Sequence, residues 1–136
     1  MLAGMGGKIL VAEDDPEARE LLLLLLEGGE YSLLEAADGM EALDLLRTEQ
    51  PDLLITDIVM PGGMNGLELA EFLRRTRPSL KVIFTSGYLG DVSRDDFPAR
   101  ETDAYLAKPF SLPELARLVR RTLDTREPTA SPEEAR

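Results

Sequence analysis

A few residues of this sequence could do chemistry together. Glu13-Asp14-Asp15 sets three carboxylates in a row just after the apolar run Ile9-Leu-Val-Ala12, and Asp57 adds another after Leu53-Leu-Ile-Thr56. Ser86 follows Val82-Ile-Phe-Thr85, and Lys108-Pro109 follows Ala104-Tyr-Leu-Ala107. Gathered carboxylates repel one another, so they raise each other's pKa or require a cation to neutralise them. A hard divalent ion meets that need, since Mg²⁺ takes oxygen ligands and is commonly held by one or two carboxylates plus phosphate oxygens. Glu13, Asp14 and Asp57 are the candidate acids. Such a cation lets an anionic phosphoryl donor approach an anionic nucleophile. Lys108 would add a second positive charge and Ser86 a hydrogen-bond donor. Asp57 is then the candidate nucleophile, able to form an acyl phosphate.

Composition removes most competing chemistries. The 136 residues include no Cys and no His, which excludes thiolate nucleophiles, Cys-ligated metals, Ser-His-Asp triads and phosphohistidine within the chain. With 15 basic and 26 acidic residues the formal charge is −11, which opposes binding to phosphate backbones and anionic lipid. A protein or cationic partner suits it better, and neither a nucleic-acid nor a membrane partner is expected. The longest apolar run, Leu21 to Leu26, falls far short of the about 20 residues that a spanning helix needs. Residues 1–7 lack a basic region ahead of a long apolar stretch, so no secretory signal is expected and the location is read as cytoplasmic. The 43% apolar and 30% charged content is that of one ordinary globular domain.

Side chains so far apart in sequence must be brought together by the elements between them. Short apolar runs alternate with longer segments of helical pattern, the signature of parallel βα units. Strands are expected at 8–12, 32–36, 53–56, 81–85 and 104–107, most of them apolar at consecutive positions, as when helices cover both sheet faces. Asp15-Pro16 reads as an N-cap with proline at the first helical position, opening a helix that runs to about Glu27. Asp38 with Glu41 and Ser111 with Glu114 resemble capping boxes, opening helices at about 39–49 and 112–124. Another helix spans 65–75, ended before Pro78. Residues 87–102 should hold a fourth helix, but Gly90, Pro98 and the acidic residues between them predict one that is short or irregular. Residues 1–7 are an N-terminal extension, 8–124 the domain, and 125–136 a disordered tail or linker. No DNA-binding pattern follows residue 124, so output is expected through protein contact or a further domain.

Five parallel strands with intervening helices imply an open doubly wound α/β sheet, in which ligands sit beyond the carboxyl ends of the strands. Every expected strand end except the second delivers an ionisable or hydroxyl group there.

These residues carry a resemblance. Over about 8–124 the chain resembles the receiver domain of bacterial two-component response regulators, through Lys8-Ile-Leu-Val-Ala-Glu-Asp-Asp-Pro16, Asp52-Leu-Leu-Ile-Thr-Asp-Ile-Val-Met-Pro61, Asn65-Gly-Leu-Glu68, Phe84-Thr-Ser-Gly87 and Lys108-Pro-Phe110. The wording Met60-Pro-Gly-Gly-Met-Asn-Gly66 with Thr85-Ser-Gly-Tyr88 looks most like receivers of hybrid histidine kinases. The resemblance implies a flavodoxin-like sheet of order 2-1-3-4-5. It also implies that Asp57 accepts a phosphoryl group from a phosphohistidine on a histidine kinase or histidine phosphotransfer protein, and that a downstream protein reads the result. Asp14, Asp57 and the backbone carbonyl of Val59 would ligate Mg²⁺, with Glu13 acting through water. Lys108 would contact the phosphoryl group, Ser86 would be the switch hydroxyl and Tyr105 the switch aromatic. The Lys108–Pro109 peptide would be cis, as X–Pro bonds can be. Four features depart from the family pattern: Ser86 where Thr is commoner, Val59 with no polar side chain beyond Asp57, Gly62-Gly63 in the following loop, and the weak fourth helix.

The expected function is a phosphoacceptor switch rather than an enzyme. One alternative is a docking module that keeps the fold without the reaction. A haloacid-dehalogenase-like phosphatase is disfavoured, because such enzymes place a second Asp where Val59 stands. In the leucine run, about 100° per residue puts Ala18, Leu21, Leu22 and Leu25 on one face. Leu23 and Leu24 then look outward and form a candidate protein-docking patch. A homodimer is compatible with the sequence.

Overall fold

The computed structural model describes residues 7–60, 63–86 and 103–124. In chain order the elements are β1 (Gly7–Ala12), α1 (Pro16–Glu27), β2 (Tyr31–Ala36), α2 (Gly39–Leu45), β3 (Leu53–Asp57), α3 (Gly66–Thr76), β4 (Lys81–Ser86), β5 (Ala104–Ala107) and α4 (Leu112–Asp124). The five strands pair in parallel in the order β2-β1-β3-β4-β5, the flavodoxin-like doubly wound arrangement.

Alternate residues of the central strands feed two separate cores. Leu10, Ala12, Leu54, Val82 and Phe84 face α2 and α3, where they meet Ala42, Leu69 and Leu73. Ile9, Val11, Leu53, Ile55 and Ile83 face α1 and α4, where they meet Leu22, Leu26, Leu115 and Val119. Both faces exclude water, so apolar residues run consecutively through β1, β3 and β4. β2 lies at the sheet edge and is only half-buried over Tyr31–Leu34.

Local signals set the helix ends. The Asp15 carboxylate caps α1 by accepting from the Glu17 amide at 3.2 Å. Ser111 and Glu114 form both arms of a capping box on α4, at 2.9 and 3.3 Å. Asp38 accepts from the Glu41 amide at 2.8 Å, but the Glu41 carboxylate turns to the Ala37 amide, so the expected box closes one residue early. A capping box at Asn65 and Glu68 opens α3.

Three expectations need correction. α2 ends at Leu45 rather than near 49, because the chain tightens into i→i+3 bonds from Arg47 to Asp44 and from Thr48 to Leu45, each 3.2 Å. In α1 the buried stripe is Leu22 and Leu26, while Leu21 is 51% exposed. The helix is thus rotated about one residue from the expected face, and Leu23 packs partly against the α1–α4 core instead of looking outward. Gly7 belongs to β1, pairing with Tyr31, rather than to an extension. The expected fourth helix within 87–102, residues 1–6 of the extension and the tail at 125–136 lie outside the described residues. Among the described residues no helix is long and apolar enough to cross a membrane.

Candidate functional site

The register of the sheet brings the distant acids together. Ala12 pairs with Thr56, Asp57 with Thr85, and Ser86 with Ala107, so β1, β3, β4 and β5 end along one edge. Glu13 leaves β1 at that edge, Asp57 closes β3, Ser86 closes β4 and Lys108 follows β5. Glu13, Asp14 and Asp57 each place a carboxylate oxygen within 4.8 Å of the other two. Lys108 joins them: its Nζ donates to Glu13 Oε1 at 2.8 Å and to Asp57 Oδ2 at 3.2 Å. Its backbone is tied to β4, with the amide donating to the Ser86 carbonyl at 2.9 Å, and the Lys108–Pro109 peptide is cis.

The carboxylates differ in setting. Glu13 is buried, Asp57 half-buried and Asp14 exposed. Burial pushes the Glu13 carboxyl above its ordinary value, despite the hydrogen bonds from Lys108 and the Asp15 amide that favour its charged form. For Lys108 burial disfavours the ammonium, but Glu13 and Asp57 outweigh that, and its pKa is raised. A carboxyl whose folded pKa lies above its unfolded value contributes stability below about 4.5 that is lost as pH rises through the folded pKa. In metal-free buffer, Glu13→Gln is therefore expected to gain stability relative to wild type as pH climbs from below 4.5 toward neutrality. Paired urea melts across that range check the direction.

The other predicted residues divide between the strand ends and α1. Ser86 is buried at the end of β4. Tyr105, half-buried in β5 opposite Phe84, packs on the α2–α3 core. Val59 is 58% exposed beyond Asp57 and offers no polar side chain there. Leu24 and Leu23 lie away from the acids on α1, where they line a groove with Leu33 and Leu34 of β2, rimmed by Glu20, Glu27 and Glu35.

Gly66 has a structural part that sequence reasoning quoted without explaining. Its amide donates to the Ile58 carbonyl at 2.8 Å, so the first turn of α3 sits directly on the end of β3. A Cβ at Gly66 would stand 2.1 Å from the Asp57 backbone oxygen and 3.0 Å from Thr56 Oγ1. Only a residue without a side chain permits that approach. Gly66→Ala is expected to cost about 3 kcal/mol, the upper range for overpacking, and to displace Asp57. Urea midpoints together with Mg²⁺ titration measure both effects.

Known proteins are similar to this chain in sequence and in fold. The model of the response regulator receiver domain matches residues 9–120. The chain is 37% identical over 118 residues to the sensor kinase CckA of Brucella abortus, covering 85% of this chain but only 12% of that kinase. It is 36% identical over 116 residues to the response regulator receiver protein CpdR of the same organism, covering 85% of this chain and 96% of CpdR. The crystal structure of the response regulator TrrA from Thermotoga maritima, in complex with Mg²⁺-BeF, superposes with a TM-score of 0.73 at 35% identity, covering 85% of this chain and 97% of that one. A doubly wound sheet with acids and a lysine at its carboxyl edge, and a family match spanning nearly the whole of it, place this chain among the response regulator receiver domains.

Proposed function

We propose that the chain is the phosphoacceptor switch of a cytoplasmic two-component phosphorelay, in which Asp57 takes a phosphoryl group from a phosphohistidine on a histidine kinase or histidine phosphotransfer protein. The observation that carries this reading is the convergence of three carboxylates within 4.8 Å of one another, with, among the described residues, the Lys108 ammonium 3.2 Å from Asp57. One lysine does not balance three acids, and an all-oxygen donor set suits Mg²⁺. Asp14, Asp57 and the Val59 carbonyl would hold the ion, with Glu13 acting through water. Bound there, Mg²⁺ supplies charge neutralisation and polarisation of the phosphoryl group.

The residues of the chain do the rest. An Asp57 carboxylate oxygen forms the new P–O bond as the P–N bond of the donor breaks, and the bonding pair leaves with the imidazole nitrogen. Lys108 meets the charge of the transferred group. Ser86, buried at the end of β4, is drawn toward the phosphorylated side chain, and Tyr105 turns further inward from its half-buried place on β5. That movement changes the surface offered to a downstream protein. The donor protein docks on the α1 side, where Leu24 is 59% exposed and Leu23 lines the same groove. Leu24→Glu is expected to slow transfer from a phosphohistidine protein while leaving labelling by acetyl phosphate unchanged.

Beryllofluoride with Mg²⁺ tests the switch. Amide NMR shifts at Ser86 and along β5 that vanish in Asp57→Asn support it. A folded protein showing no response would favour a docking module that works without phosphorylation.

A further inference from the structure

We infer that Arg19 is a positioning residue for the acidic pair, holding the peptide between Glu13 and Asp14 through the Glu13 carbonyl. The inference rests on the Mg²⁺ reading above and concerns what keeps the ligands in place.

Glu13 is held at every polar group. Its amide donates to the Ala36 carbonyl at 3.0 Å, Oε1 accepts from Lys108 at 2.8 Å, and Oε2 accepts from the Asp15 amide at 3.1 Å. Its carbonyl accepts from Arg19 Nη1 at 2.8 Å. That last bond is the one that bears on Asp14, because the carbonyl belongs to the peptide joining the two residues. Rotating it would swing the exposed Asp14 side chain away from Asp57. The backbone amide of α1 in helical register with this carbonyl, that of Glu17, donates instead to the capping Asp15 Oδ1 at 3.2 Å.

Arg19 is itself fixed. Its Nε donates to Glu35 Oε1 on β2 at 3.1 Å, and its side chain is 19% exposed against 60% for Glu35. The planar fork holds the Glu13 carbonyl and Glu35 through two different nitrogens, Nη1 and Nε, at a fixed spacing that the single nitrogen of a lysine does not reproduce. Arg19 is thus an outer partner that orients a ligand-bearing turn, and loss of such partners typically weakens metal binding by 10–100-fold.

The sign of the effect separates this role from simple charge. Removing a cation near an acidic site relieves repulsion of Mg²⁺ and should tighten binding, whereas loss of positioning should weaken it. Calorimetric Mg²⁺ titration of the full chain is expected to show Arg19→Ala weaker by about tenfold or more, with Arg19→Lys failing to restore affinity. In metal-free protein the amide signals of Asp14 and Asp15 should move in the same variants. Glu35→Ala removes the anchor together with one negative charge, so if Arg19→Ala does not fold, the metal-free Asp14 and Asp15 amide signals of Glu35→Ala are read instead: a shift is expected, and unchanged signals overturn the inference. Unchanged or tighter binding in folded Arg19→Ala, or full rescue by lysine, overturns the inference. No Mg²⁺ binding by the wild type would instead overturn the metal reading on which it stands.

Discussion

Asp57→Asn is expected to reduce phosphoryl acceptance to background while making the metal-free protein more stable. Asn keeps the shape of Asp and an oxygen for Lys108, but it has no anionic oxygen to form the acyl phosphate. In the absence of metal the Asp57 charge faces, among the described residues, two carboxylates and one ammonium. Removing it relieves more repulsion than attraction, a gain on the order of 1 kcal/mol for partly exposed groups at these separations. Saturating Mg²⁺ should shrink that gain, because the wild-type cluster is then neutralised and stabilised by binding. Unfolding curves with and without MgCl₂ separate the two conditions, and a stability loss in metal-free Asp57→Asn would contradict a repulsive pocket.

The largest structural effect should come from the opposite side of the molecule. Arg74, near the end of α3, donates from Nη1 to Asp103 Oδ2 at 2.9 Å and from Nη2 to Asp103 Oδ1, and its Nε and Nη2 reach the Leu80 carbonyl at 3.1 and 3.0 Å. The side chains are 9% and 1% exposed. Truncating Arg74 breaks a buried charge pair, which typically costs about 3–5 kcal/mol, a large share of a domain's total of about 5–15. Arg74→Ala should therefore lower the urea midpoint steeply. In the double variant with Asp103→Ala the loss should be smaller than the sum of the two single losses, since both substitutions remove the same pair. Because Asp103 directly precedes β5, the same variant should loosen the strand that carries Tyr105 and leads to Lys108.

The sheet and the acids were legible because their signals are local and repeated. Ile9 to Ala12, Leu53 to Ile55 and Val82 to Ile83 are fully buried on both faces, and that burial is what an uninterrupted apolar run records. The polar residues stand one step past those runs, where a parallel sheet puts its ligands. Other features leave no such trace. Six consecutive leucines carry no helical phase, so the face of α1 could not be read from them, and Leu26 emerged in the core while Leu21 did not. The Arg19 bond to the Glu13 carbonyl crosses a cap and a turn, with no spacing rule to reveal it. The Arg74–Asp103 pair spans 29 positions, and Arg74 reads in sequence as an ordinary basic residue near a helix end. Gly66 belonged to a quoted motif, yet its reason is a close approach of α3 to the Asp57 carbonyl that exists only in three dimensions.

Intact-mass measurement after incubation with acetyl phosphate and Mg²⁺ tests the central claim most directly. The account predicts a gain of one phosphoryl mass in the wild type that requires Mg²⁺ and is absent from Asp57→Ala. A gain that persists in Asp57→Ala, or that forms equally well in EDTA, would contradict it.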